Sequence, residues 1–256
     1  MKLLFIGDVF GQPGREAVKQ LVPELRLQHQ LDLVVANGEN MHHGNGISFD
    51  NYQELRDAGV DWLTSGDHIW GVKEFVSELD NPSIQVLRPA NYPTGVPGRG
   101  MVQITVGSEV ITLMNLQGRV FMNQAVDNAF LAFDRLFQEA KGFVFVDYHA
   151  EATSEKNTFG HYVDGRAGAV VGTHTHVQTA DERLLPKGTA YITDVGMTGP
   201  MDGSIGANLE QVIPSFTKGM PFRLQPAEGP VQLNAVLITI KNGKATEIQR
   251  IFKVLD

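Results

Sequence analysis

The stretch 168–176, GAVVGTHTH, runs from an apolar segment directly into two histidines. The apolar part predicts a buried strand. If the strand continues through the histidines, His174 and His176 point to the same side, because side chains two residues apart in a strand share a face. Imidazole is the commonest metal ligand among side chains. The stretch therefore predicts two ligands that are directed at one spot, at the carboxyl end of a strand.

Other predicted strands also end in acidic residues or histidine. These polar residues are Asp8 after the strand 2–7, Glu39 and Asn40 after 32–37, Asp67 and His68 after 60–66, and Asp147 and His149 at the end of 142–149. In open α/β sheets, ligands bind beyond the carboxyl ends of the strands. The pattern therefore predicts that these side chains and the two later histidines meet in one crevice.

Helical patterns alternate with the predicted strands. They lie at 15–30, 48–59, 72–79 and 124–140, and a further strand is predicted at 84–88. Two hairpins are predicted, with Gly107-Ser108 and Asn242-Gly243 at their turns. Alternation followed by antiparallel strands favours an α/β layered domain with a mixed sheet or two packed sheets. Residues 1–256 are predicted to form a single domain, because no repeat or linker interrupts them.

The composition excludes several classes of function. Of the 256 residues, 42% are hydrophobic and 20% charged, which is ordinary for a globular protein. The net charge of -8 argues against a long nucleic acid as partner. The absence of cysteine excludes disulfides and thiolate metal sites, and it favours a cytoplasmic location. The apolar run LLFI is too short for a signal peptide or a membrane span, so no membrane association is predicted.

The candidate ligands comprise three histidines and three carboxylates without cysteine. This set suits manganese, iron or zinc. It is too large for one metal ion with an open position, whereas two ions that share a carboxylate would use it fully. Two ions about 3.5–4 Å apart can hold a hydroxide and stabilise in-line displacement at phosphorus.

The chain resembles the bacterial YmdB-like branch of the calcineurin-like metallophosphoesterase superfamily. The motifs that carry the resemblance are GDVFG (7–11), NGEN (37–40), SGDHIW (65–70), NLQGRVFM (115–122), DYHAEATSEK (147–156) and GTHTHVQTADERLLPKGTAYITDVGMTGP (172–200). It implies a four-layer αββα sandwich, made of two mixed β-sheets flanked by helices. It also implies a dinuclear metal centre, a homo-oligomer and phosphodiesterase activity on small substrates, with cyclic nucleotides as the substrate class.

The resemblance also implies a ligand set for each metal ion. One ion would be bound by Asp8, Glu39 and His176, and the other by Glu39, Asp67, His149 and His174. Glu39 would thus bridge two divalent or mixed-valence ions, with iron or manganese expected and zinc as the alternative.

The reaction implied by the resemblance starts from a hydroxide that bridges the two ions. His68 is the expected general acid for the leaving oxygen, and Asn40 is a candidate for contact with metal-bound water or phosphate. Arg119 is a second candidate for phosphate, because a guanidinium suits phosphate geometry, although a surface arginine is the alternative.

Two departures from the superfamily pattern stand in this sequence. Asp67 lies where an asparagine is usual; it still ligates, but it adds negative charge and loses a hydrogen-bond donor. The usual GHxH also carries an extra residue, Thr173, after its glycine.

Alternative functions remain open from the sequence. The ligands alone also permit hydrolysis of an amide or a phosphomonoester. A metal-bound regulatory or nucleotide-sensing module with little turnover is a further alternative. The presence of His68 favours turnover, because binding alone needs no acid for a leaving group.

Overall fold

Two mixed β-sheets form the centre of the molecule, in a computed structural model that describes residues 1–221 and 225–255. The strands in these residues are β1 (Lys2–Ile6), β2 (Asp8–Val9), β3 (Leu33–Asn37), β4 (Trp62–Thr64), β5 (Met101–Val106), β6 (Glu109–Gln117), β7 (Phe143–His149), β8 (Ala169–Thr173), β9 (Arg183–Leu184), β10 (Ala190–Ile192), β11 (Met197–Pro200), β12 (Val231–Lys241) and β13 (Lys244–Leu255). The helices are α1 (Gly11–His29), α2 (Phe49–Asp57), α3 (Lys73–Val76), α4 (Ala129–Phe137), α5 (Thr153–Val163) and α6 (Leu209–Lys218).

The first sheet has seven strands in the order β2-β11-β12-β1-β3-β4, with β13 paired to β12. Strands β1, β3 and β4 run parallel to one another, whereas β12 is antiparallel to β1. The carboxyl ends of the three parallel strands therefore meet at one edge. Asp8, Glu39 and Asp67 follow these ends.

The second sheet has six strands in the order β5-β6-β7-β8-β10-β9. Its four central strands are parallel, and the outer strands β5 and β9 are antiparallel to their neighbours. His149 is the last residue of β7, and His174 follows β8 directly.

Alternation along the buried strands produces the layers. In β1, Leu3 and Phe5 lie between the two sheets, where the ring of Phe5 is 5.3 Å from that of Phe145. Leu4 and Ile6 point the other way, into a core shared with α1 and α2. A third core lies between the second sheet and helices α4 and α5. The arrangement confirms the predicted four-layer αββα sandwich, while the single domain over 1–256 stays a prediction.

Both predicted hairpins are confirmed. Asn242 and Gly243 join β12 to β13 with φ values of 52° and 69°, as a two-residue turn of this kind requires. Gly107 and Ser108 likewise join β5 to β6. None of the helices in the described parts of the chain is long and apolar enough to cross a membrane.

Several predicted boundaries are wrong. Helix α1 begins at Gly11 rather than at residue 15, with Pro13 in the first turn, where a missing N–H costs nothing. It continues through Pro23. The helix predicted at 124–140 begins only at Ala129, because the Asn128 side chain caps it by accepting hydrogen bonds from the next turn.

Two shorter elements also differ from prediction. The helix expected at 72–79 is reduced to α3. The strand expected at 84–88 forms only isolated bridges at Val86 and Leu87. It is followed by Pro89, which has no N–H to extend the pairing.

Candidate metal centre and active site

Four of the predicted ligands meet in one cluster. Glu39, Asp67, His149 and His174 each offer a ligand atom, and these atoms all lie within 4.8 Å of one another. His149 Nε2 is 3.0 Å from Glu39 Oε1 and 3.1 Å from Asp67 Oδ1. The cluster could therefore hold a metal ion through nitrogen and oxygen ligands.

The hydrogen bonding in the cluster fits a cation. His149 Nε2 and His174 Nδ1 are 3.0 Å apart, so at most one of these nitrogens carries the shared proton. Asp8 Oδ1 is buried without a hydrogen-bond partner among the described residues. Buried polar atoms are normally satisfied, so this oxygen, which adjoins the cluster, also fits contact with a cation.

The electrostatics also call for positive charge. Burial opposes ionisation of Glu39, but the neighbouring His149 outweighs burial and holds the pKa of this carboxyl below its ordinary value. Burial also opposes the charged form of His149, yet Glu39 and Asp67 raise the pKa of its imidazole well above the usual value. Either a proton on His149 or a divalent cation would supply the positive charge that the two carboxylates favour.

His174 is suited to ligation in its neutral form. Burial and the neighbouring His149 lower the pKa of the His174 ring to about 4. Near neutral pH the ring therefore keeps a lone pair. Its Nε2 lies 3.0 Å from Glu151 Oε2, and this contact leaves Nδ1 facing the cluster.

Gly66 makes room for the cluster. A Cβ at this position would overlap the His149 ring on one side and Glu39 Oε2 on the other. Any side chain would thus collide with two candidate ligands. Glycine is required here because of this close approach.

A second group of predicted ligands adjoins the first. His176 Nδ1 donates to the carbonyl oxygen of Ile205 at 2.9 Å, which leaves the lone pair on Nε2. That Nε2 is 3.9 Å from Asp8 Oδ1. Asp8 Oδ2 accepts a hydrogen bond from the backbone N–H of His174 at 3.2 Å, so the two groups are in direct contact.

The two histidines of the GTHTH stretch do not lie in a strand, so the predicted geometry was wrong. Strand β8 ends at Thr173, and His174 and His176 lie in the loop beyond it with φ values of 103° and 65°. Their rings reach one cavity because of the loop shape and not because of strand alternation. Left-handed backbone is costly for residues other than glycine, so tertiary contacts must hold it.

A buried ion pair supplies those contacts. Asp194 Oδ2 accepts hydrogen bonds from Thr175 N at 3.1 Å and from Thr175 Oγ1 at 2.7 Å. The same oxygen is 2.7 Å from Lys156 Nζ, and both side chains are almost fully buried. Thr175 lies between the two histidines, so this pair fixes the loop that carries them.

A hydrogen bond at Nδ1, the nitrogen that faces away from the cluster, orients the His149 ring. Its Nδ1 is 2.9 Å from Thr173 Oγ1, and that hydroxyl donates to Asp147 Oδ1 at 2.7 Å. Asp147 in turn accepts from Asn37 Nδ2 at 3.2 Å. With the hydroxyl proton directed at Asp147, His149 donates from Nδ1 and presents Nε2 to the cluster.

A cavity of about 350 Å³ is lined in part by Glu39 and His174 of the first group and by His176 of the second. Its lining residues are Phe10, Glu39, Asn40, Gly44, His68, Glu151, His174, Thr175, His176, Ile205 and Ala207. His68 Nδ1 lies 2.7 Å from Asn40 Oδ1, and Asn40 Nδ2 lies 3.2 Å from His176 Nε2. Asn40 therefore links the predicted acid to a predicted ligand.

Arg119 is placed elsewhere. It is exposed after β6, where its backbone N–H donates to the Glu155 carboxylate at 3.1 Å, and it is not among the described residues that line the cavity. Its contact with phosphate stays a prediction. Sequence reasoning missed Gln124, whose Nε2 donates to Asp67 Oδ2 at 3.1 Å, and Glu151 beside His174. No local pattern marks either residue.

Comparison with known proteins identifies the family of the chain. The model of the family described as YmdB-like protein matches residues 4–251. A 2',3'-cyclic-nucleotide 2'-phosphodiesterase of Bacillus subtilis (strain 168) is 48% identical over 256 residues, covering 98% of this chain and 96% of that protein.

Two solved structures are similar over nearly the whole chain. A hypothetical protein from Thermus thermophilus has a TM-score of 0.95 and 44% identity, covering 99% of each chain. A phosphatase from Mycoplasma pneumoniae has a TM-score of 0.94 and 37% identity, covering 99% of this chain and 93% of that one. With its motifs and its fold, the chain belongs to the YmdB-like family.

Proposed function

We propose that this metallophosphoesterase hydrolyses small phosphodiesters, with cyclic nucleotides as the first natural substrates, at two metal ions that share Glu39. The observation that carries the proposal is the cluster of Glu39, Asp67, His149 and His174 beside the Asp8–His176 pair, with Glu39, His174 and His176 lining one cavity. The similarity to a cyclic-nucleotide phosphodiesterase supports the choice of substrate.

The two groups of ligands support two ions rather than one. Asp67, His149 and His174 cluster with Glu39. Asp8 and His176 form the other group. It adjoins the first group where Asp8 Oδ2 accepts a hydrogen bond from the backbone N–H of His174. When bound, the metal ions supply an activated water and stabilise the charge of an in-line displacement at phosphorus.

His68 is proposed as the general acid. It lines the cavity, and its Nδ1 is engaged by Asn40 Oδ1 at 2.7 Å. Because an amide oxygen only accepts, Nδ1 carries a proton in this contact, and the doubly protonated ring can donate its Nε2 proton to the leaving oxygen. Asn40 thus positions the acid and, through its amide nitrogen, contacts His176.

Iron or manganese is proposed as the metal, with zinc as the alternative, because the ligands are nitrogen and oxygen without sulfur. A cytoplasmic homo-oligomer is proposed from the family resemblance and from the absence of cysteine.

Activity with added metal tests the proposal. With Mn²⁺, the protein is expected to hydrolyse bis(p-nitrophenyl) phosphate and a 2',3'-cyclic nucleotide, and EDTA is expected to abolish both reactions. A p-nitrophenyl monoester in the same panel tests the phosphomonoesterase alternative. Metal binding without turnover of any ester, in the presence of Mn²⁺, Fe²⁺, Co²⁺ or Zn²⁺, would favour a sensing module.

Metal content tests the second group of ligands. His176→Ala is expected to lower the content from about two ions per chain toward one, because a shared centre loses one terminal ligand. Elemental analysis of purified protein measures this. His161→Ala, which removes an exposed histidine from α5, serves as the matched control. Equal metal content in the two variants would remove His176 from the centre.

A further inference from the structure

The cavity is lined by two chemically different sets of residues. One set is the candidate ligands Glu39, His174 and His176. The other set is Phe10, Ile205 and Ala207, here called the apolar wall, which adjoins His176. At about 350 Å³ the cavity falls in the range of small-molecule sites, and a phosphate group alone would fill only part of this volume.

Ile205 is held in an unusual conformation at the rim of this wall. Its φ is 46°, in the left-handed region that β-branched residues avoid. A tight turn fixes it, because Ser204 N donates to Ala207 O at 2.8 Å and Ala207 N donates to Ser204 O at 2.9 Å. The turn directs the Ile205 carbonyl to His176 while its side chain stays 55% exposed.

Phe10 forms a rigid base for the wall. A Cβ at Gly44 would lie 3.0 Å from the Phe10 ring, and one at Gly206 would lie 2.8 Å from it. The backbone thus packs closely against the ring at two points, and the ring also meets His176 edge-on with centroids 5.9 Å apart. The ring is therefore fixed beside the ligands.

We infer that the apolar wall binds the nucleobase of a nucleotide substrate and that Ile205 determines the preference for phosphate esters that carry a base. The inference rests on the proposed function and names the part of the substrate that lies away from the metal ions. A flat base against Ile205 removes apolar surface from water, while the phosphate reaches the ligands that line the same cavity. Strain at a site of this kind is retained where the conformation serves binding.

Binding measurements test the inference without relying on turnover. Protein loaded with Mn²⁺ is titrated calorimetrically with adenosine 3'-monophosphate and with glycerol 2-phosphate, which lacks the base. The native protein is expected to bind the nucleotide at least about tenfold more tightly, and Ile205→Ala is expected to reduce this ratio about tenfold, as for lost contacts in an apolar pocket. Ile205→Gly, which accepts the left-handed backbone, should reproduce the loss in a folded protein.

The matched control is Ile213→Ala. Ile213 is 54% exposed, nearly the same as Ile205, but it does not line the cavity. The Ile213→Ala variant is expected to keep the native ratio of the affinities for the two ligands. Equal affinity of the native protein for both ligands, no binding of the nucleotide, or a ratio that Ile205→Ala leaves unchanged would each overturn the inference. An equal loss of the ratio in Ile213→Ala would overturn it as well. Failure of the phosphodiesterase proposal would appear separately, as absence of hydrolysis with Mn²⁺.

Discussion

His68→Ala is expected to lower kcat on a 2',3'-cyclic nucleotide by about 10²–10⁴-fold, the usual contribution of a general acid. The loss should be much smaller on bis(p-nitrophenyl) phosphate. A nitrophenolate departs without a proton, whereas the alkoxide of a ribose does not. The comparison of the two substrates therefore isolates the proton transfer from every other effect of the substitution.

Metal content must be measured together with these rates, because His68 is connected to a candidate ligand through Asn40. Its Nδ1 is bonded to Asn40, and Asn40 contacts His176. If His68 only positions Asn40, the variant should lose metal and lose activity equally on both substrates. That outcome would contradict the assignment as general acid. His161→Ala, outside the cavity, provides the control for handling and loading.

Lys156→Met is expected to lower the free energy of unfolding by about 3–5 kcal/mol, since it leaves the buried Asp194 carboxylate without its counter-charge. Lys156 also donates to the Thr173 carbonyl at 3.2 Å, which adds a lost hydrogen bond. Urea unfolding in EDTA measures the change without a contribution from bound metal.

Lys19→Met is the matched control. Lys19 pairs with Glu16 at 3.2 Å, but both side chains are largely exposed, so the expected change is about 0–1 kcal/mol. A loss for Lys156→Met as small as that of the control would show that the buried pair does not stabilise the fold. Since the pair also anchors Thr175, we further expect the folded variant to bind metal more weakly, by calorimetry with Mn²⁺.

The layered fold could be predicted from local pattern because each strand carries its own signal. The alternation of Leu3, Leu4, Phe5 and Ile6 between two cores, which makes the sheet two-sided, needs only a continuous apolar run. The Asn242-Gly243 turn could be predicted for a similar reason, since its two residues tolerate positive φ. Element ends were less accurate, because caps such as Asn128 depend on single contacts.

The proximity of Glu39, Asp67, His149 and His174 could be predicted from residue type and position at strand ends, while their role as ligands stays a prediction. Asp8, Glu39, Asp67 and His149 each follow or end a strand whose direction the sheet topology fixes. The placement of Arg119 could not be predicted in this way. It lies on a loop after an internal strand, and nothing in its own neighbourhood determines where that loop lies.

The sequence by itself determined the layered α/β fold, through periodicity along the chain, and the family, through its motifs; it also proposed the six candidate ligands from residue type and position. Only the tertiary structure decided how the ligands are held. The left-handed backbone at His174 and His176, the Lys156–Asp194 pair beneath them, and the Ile205 turn all depend on contacts between distant segments. Non-glycine residues adopt such a backbone only where contacts with the surrounding fold offset its cost, and a local sequence pattern does not predict those contacts.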